Sequence, residues 1–158
     1  MIELMTNSGP TSSLGSLPES ILRYGIDVLE KLVAVPSVAA QGRGIAEASG
    51  LTASLLRELG FSVDLHDSGG APVVFADSHP DGFPGKPTVL CYNHYDVQPA
   101  EPLELWDSDP FVLTERDGIY YGRGALDDKG ELSVRLAAIK WLKDSLGSLP
   151  CRIKFLVE

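Results

Sequence analysis

The chain has 158 residues, 44% of them apolar, with 22 acidic against 13 basic side chains and a formal net charge of -9. That length suits one domain burying roughly two-thirds of its unfolded surface. The acidic balance excludes a nucleic-acid surface, which needs a basic stripe to neutralise phosphates, and no run approaches the roughly 20 apolar residues that span a bilayer.

Small-molecule or peptide chemistry fits the charge better. Met1 to Ser20 lacks the basic start and apolar core of a secretory signal, so a cytoplasmic location is expected. Cys91 and Cys151 both fall in apolar runs and are expected as buried thiols rather than as a disulfide.

Residues 1–17, with Asn7, Gly9, Pro10 and repeated Ser and Gly, show no periodicity and are expected as a flexible tail; residues 18–158 then form one domain. Ile21, Leu22, Ile26, Leu29 and Leu32 recur at helical spacing, and Pro36 ends that helix. A second helix carries Ile45, Ala48, Thr52, Leu55, Leu56 and Leu59 on one stripe, with Gly60 where a C-terminal cap belongs. Phe61 to His66 alternates as a half-buried strand does, and Pro72–Ala76 and Thr88–Tyr92 are shorter β-rich runs.

Residues 93–110, rich in Pro and acids, form a long loop of the kind that is more often functional than idle. Asp117-Gly118 between Phe111–Thr114 and Ile119–Tyr121 signals a hairpin. A third helix is expected from about Asp128 to Leu146, with Val134, Ala137, Ala138, Trp141 and Leu142 on one face. Ile153, Phe155 and Val157 then alternate as a last strand. The expected fold class is α/β, helices packed on a mixed β-sheet with the site at the strand ends, and an open sheet edge after the last strand.

Two segments carry chemistry. His94 and Asp96 are two residues apart, so in extended chain both side chains point the same way. A neutral imidazole is a good zinc ligand, and a neighbouring carboxylate orients it; taken alone, the pair is a weak signal that more often marks a surface His and Asp at a strand end. Asp127 and Asp128 open the third helix behind Gly122-Arg123-Gly124. Asp128 with Glu131 fits a capping box, which accounts for one acid and leaves Asp127 in a glycine-rich turn where a carboxylate could bridge two metal ions.

Other candidates are weaker. His66 and His79 are expected to be solvated, and Cys91 suits a core position better than a thiolate ligand. Asp107-Ser108-Asp109 lacks the Gly and closing Glu of a calcium loop, and Gly122 to Gly130 lacks the Gly-Lys-Ser/Thr ending of a phosphate loop.

Jointly, His94-Tyr95-Asp96-Val97-Gln98-Pro99 and Gly122-Arg123-Gly124-Ala125-Leu126-Asp127-Asp128-Lys129-Gly130 resemble the co-catalytic di-zinc exopeptidases. That family includes carnosinase-like dipeptidases, carboxypeptidase G, acetylornithine deacetylase and succinyl-diaminopimelate desuccinylase. Lys31 to Val38, Leu59-Gly60-Phe61, Trp106, Pro110-Phe111 and Asp117 to Gly124 follow as family landmarks in order, so the likeness runs from about residue 20 to the end. The two motifs are most similar to the dipeptidase branch.

The resemblance implies hydrolysis of dipeptides or short peptides, with N-acyl amino-acid deacylation or a non-catalytic binding role as alternatives. It implies two divalent metal ions, zinc or else manganese, a peptide or N-acyl amino-acid substrate, and a homodimer in the full-length enzyme. His94 would be a ligand of one zinc, Asp127 the carboxylate bridging both, and Asp96 the catalytic acid that positions the first site. Asp128 would cap the helix, with a cis peptide after the bridging acid. Leu126 stands where Ser is commoner. In the family, a strand like Ile153–Glu158 continues into Gly-x-Glu-Glu, which supplies the general base and a further ligand; Glu158 precedes that pair. The chain therefore resembles the first third of a longer enzyme, without turnover by itself.

Overall fold

The computed structural model describes residues 17–158, so the expected tail lies outside the described residues except for Leu17. Three helices pack on a mixed four-stranded sheet, with a separate two-stranded hairpin.

Helix α1 spans Glu19–Val33 and buries Ile21, Val28, Leu32 and Val33. Leu22 of the expected stripe is exposed instead. Helix α2 spans Ile45–Glu58 and buries Ala48, Thr52, Leu55 and Leu56 as the spacing predicts. It ends in a Schellman arrangement: Gly60 takes φ +82°, and Phe61 N–H donates to Leu56 O at 3.1 Å.

Strand β1 (Ser62–His66) pairs antiparallel with β2 (Val73–Asp77). Strand β3 spans Thr88–Asn93 and leads into the long loop, which contains one short 3₁₀ turn at Leu103–Leu105. Strands β4 (Thr114–Arg116) and β5 (Ile119–Tyr121) flank Asp117 and Gly118, both at positive φ as a two-residue hairpin turn requires. Helix α3 (Lys129–Leu146) then crosses back to β6 (Arg152–Val157), which lies parallel to β3 and antiparallel to β2.

The sheet order is β1-β2-β6-β3. The last strand is therefore central, and the open edges are β1 and β3, not the flank of β6 as expected. A helix between β3 and β6 allows the parallel pairing that no tight turn permits. In this position Ile153, Phe155 and Val157 alternate inward and are all buried. Phe155 packs edge-on against Phe61, ring centroids 5.8 Å apart.

Helix α3 buries Leu132, Leu136 and Ile139, whereas Val134 of the predicted face is 67% exposed. Its apolar residues lie on more than one side; α1 packs against it at Ala137, where a Cβ on Gly25 would sit 3.3 Å from Ala137 Cβ. Cys91 and Cys151 are free and only half-buried. His79 is also half-buried, stacked on Phe83 at 4.1 Å with Ser78 Oγ 2.8 Å from its Nδ1, so it is not the solvated residue expected. His66 is exposed. Among the described residues no helix is long and apolar enough to cross a membrane.

Candidate metal centre

The carboxyl end of β3 and the amino end of α3 meet at one point. Asn93 ends the strand fully buried, and its Nδ2 donates to Asp128 Oδ2 at 2.8 Å. The backbone N–H of His94 donates to the same oxygen at 3.0 Å. Asp128 therefore ties strand to helix. It stands at the N-cap position of α3 but makes no side-chain cap hydrogen bond, so the expected capping box with Glu131 does not form. A carboxylate with two donors across the site has better partners than its own helix offers.

His94 and Asp127, 33 residues apart, come together: His94 Nε2 lies 2.9 Å from Asp127 Oδ1. On the other side of the ring, Nδ1 lies 3.0 Å from Asp96 O and 3.1 Å from Asp96 Oδ1. A carbonyl oxygen only accepts, so Nδ1 carries a proton and Nε2 faces Asp127. Burial works against a charged ring, but the Asp127 hydrogen bond, the Asp96 carbonyl and the charges of Asp128 and Asp96 outweigh it and raise the His94 pKa above its ordinary value. The peptide bond between Asp127 and Asp128 is cis.

His94, Asp96 and Asp127 line a cavity of about 730 Å³, with Tyr92, Arg123 and Glu158 on its walls. Tyr92 Oη donates to Glu158 Oε1 at 2.6 Å. The Asp127 side chain is 84% exposed, and Leu126 beside it is 80% exposed. Gly124 closes the turn from behind: its φ is +82°, and a Cβ there would sit 2.7 Å from Val97 Cγ1.

The sequence pointed to His94, Asp96 and Asp127, and the three are neighbours here. It did not point to Asn93 or Lys129. Lys129 is fully buried with Nζ donating to Val35 O at 2.6 Å; burial lowers its pKa to about 8, against the pull of Asp96. A lysine in the first turn of a helix opposes the dipole, a local signal that it serves another purpose.

An imidazole nitrogen and a carboxylate oxygen converging on a cavity are donors that zinc takes. Both face that cavity, 2.9 Å apart. The types fit, while the number is small: among the described residues no group of three or more His, Cys, Asp or Glu is arranged to hold an ion.

Residues 90–158 match the peptidase family M20/M25/M40. The chain is 39% identical over 119 residues to the Beta-Ala-His dipeptidase of Rattus norvegicus, covering 68% of this chain and 24% of that protein. It is 37% identical over 115 residues to the succinyl-diaminopimelate desuccinylase of Bordetella avium, covering 73% of this chain and 29% of that protein. The solved M20 family metallo-carboxypeptidase Sso-CP2 from Sulfolobus solfataricus matches with a TM-score of 0.77 at 37% identity, over 85% of this chain and 30% of that one.

The fold is that of part of an M20 family catalytic domain. Residues 90–158 of the chain belong to the peptidase family M20/M25/M40. The chain spans about a quarter of the length of the curated relatives it matches.

Proposed function

We propose that the full-length protein is a metal-dependent exopeptidase of the dipeptidase type, hydrolysing peptide bonds in dipeptides or short peptides. In this reading His94 ligates one divalent ion and Asp127 bridges two, zinc or else manganese. Asp96 is the catalytic acid that positions the first site through the His94 ring. The observation that carries the reading is the 2.9 Å approach of His94 Nε2 to Asp127 Oδ1, with the far side of the ring held by Asp96.

The residues of this chain have distinct tasks. Asp96 fixes the imidazole so that Nε2 presents to the cavity. Asp127 has two oxygens, one engaged by His94, on a mostly exposed side chain that lines the cavity. Asp128 orders the backbone of His94 and leaves Asp127 free for ligation. The chemistry that a bound pair of divalent ions supplies is polarisation of the scissile carbonyl and activation of water. A catalytic zinc usually takes three protein ligands, so the remaining ligands and the general base belong to sequence outside residues 17–158.

The test is hydrolysis of dipeptides by the full-length protein with added Zn²⁺ or Mn²⁺, compared with its Asp127→Ala variant. Loss of at least about 100-fold in rate is expected; full activity in the variant would refute the bridging role. The 158-residue chain alone is expected to show no turnover, and metal-dependent peptidase activity from it would contradict the incomplete ligand set. A second reading, N-acyl amino-acid deacylation, is favoured by the 37% identity to the desuccinylase. Side-by-side assay of a dipeptide and an N-succinyl amino acid separates the two.

A further inference from the structure

We propose that Ser37 is a positioning residue: from the turn after α1 it fixes the loop carrying His94 and Asp96 relative to the turn carrying Asp127, through backbone hydrogen bonds rather than through any of the three side chains. The proposal rests on the reading of His94 and Asp127 as ligands, and it goes beyond that reading in assigning their alignment to a residue outside the cavity.

Ser37 is fully buried. Its Oγ donates to Tyr95 O at 2.6 Å, and its own carbonyl accepts from Val97 N–H at 2.8 Å. The two bonds bracket Asp96, so the segment His94–Val97 is clamped to the turn from both sides. Tyr95 is itself fully buried, with Oη donating to Pro72 O at 2.6 Å, so the clamped loop has little freedom to find another arrangement.

The same turn reaches the other half of the site. Val35 O accepts from Lys129 Nζ at 2.6 Å, and Lys129 is two residues beyond Asp127. Its stem packs against Gly124, where a Cβ would lie 3.1 Å from Lys129 Cδ. One short turn thus holds both the loop from β3 and the start of α3.

The turn is itself stiff. Ser37 N–H donates to Val35 O and Val38 N–H to Pro36 O, each at 2.9 Å, two successive three-residue closures. Gly44 backs it closely, since a Cβ there would lie 2.7 Å from Pro36 O. A rigid element bonded to both ligand-bearing segments transmits its own position to the gap between them, and reactive geometry is sensitive to displacements of about 1 Å.

The test uses the 158-residue chain as wild type, Ser37→Ala, Ser37→Cys and Val28→Ala, the last a core truncation on α1 that leaves the turn's hydrogen bonds in place. The His94 ring resonances are read by NMR without metal, and ZnCl₂ alone is then titrated. Ser37→Ala is expected to shift the His94 ring resonances and to weaken zinc binding about five- to tenfold. Ser37→Cys, with a weaker donor in the same place, should fall between, and it decides the matter if Ser37→Ala does not fold. Val28→Ala should lower the melting temperature and move neither readout.

Wild-type resonances and zinc affinity in the Ser37 variants would overturn the proposal, as would an equal shift in Val28→Ala. Failure of the wild-type chain to bind zinc at all would count against the metal reading instead. In that case the metal-free His94 resonances alone decide the positioning role.

Discussion

Asp128→Ala separates two roles for one carboxylate. It deletes the acceptor shared by Asn93 Nδ2 at 2.8 Å and His94 N–H at 3.0 Å. Asn93 is fully buried, and its Oδ1 has no partner among the described residues, so the variant leaves the whole amide unpaired. Hydrogen bonds to a charged acceptor contribute ~1.5–3 kcal/mol each. Asp128 is half-buried, which reduces the pair to ~2–4 kcal/mol, or a fall of about 5–15 °C in Tm for a domain of this size.

Urea unfolding and calorimetry of the 158-residue chain measure this directly. Glu131→Ala is the control. No capping box forms, and the exposed Glu131–Arg135 pair at 3.4 Å is weak, so that variant should cost under ~0.5 kcal/mol. A loss below ~1 kcal/mol for Asp128→Ala, or an equal loss for Glu131→Ala, would return Asp128 to an ordinary cap and undo the strand-to-helix tie.

Phe155→Ala should cost ~3–5 kcal/mol in urea unfolding, because the ring is fully buried in the central strand against Phe61; a cost under ~2 kcal/mol would argue against β6 at the centre of the core. Gly124→Ala should destabilise by ~2–4 kcal/mol, since the residue sits at φ +82° and the new methyl lies 2.7 Å from Val97 Cγ1; a neutral result would mean the loop relaxes freely. The Arg152 hydrogen bonds hold the Asp77 pKa at about 2, below its ordinary 3.8, helped against burial by His79 N–H and by the charges of Arg152 and Lys154. A depressed carboxylate pKa contributes stability above its unfolded value that is lost as pH falls. Asp77→Asn should therefore lower Tm at pH 7, with the gap to wild type closing between pH 3.8 and about 2; a gap that stays constant over that window would show that the ion pair is not the cause.

Local chemistry made much of the fold readable. Gly60 after a helical stripe, Asp117-Gly118 between β-rich runs, and the alternation Ile153-Phe155-Val157 each act through short-range geometry, and each element formed where its signal lay. The misreadings share a cause. The buried side of α3 depends on which neighbour packs against it, so Val134 and Leu136 could not be ranked from spacing alone. The Asp128–Glu131 spacing of a capping box was present, yet Asp128 found donors 34 and 35 residues away that local sequence cannot reveal.

The sequence alone determined the acidic character of the chain, its elements, and the imidazole and carboxylates able to take a metal, because residue chemistry and periodicity are local properties. Tertiary structure decided that β6 lies inside the sheet and that His94 and Asp127 stand 2.9 Å apart. That gap is set by contacts between segments distant in the chain, by Asp128 across the strand end and by Lys129 and Ser37 through the turn after α1. Only folding brings those segments together.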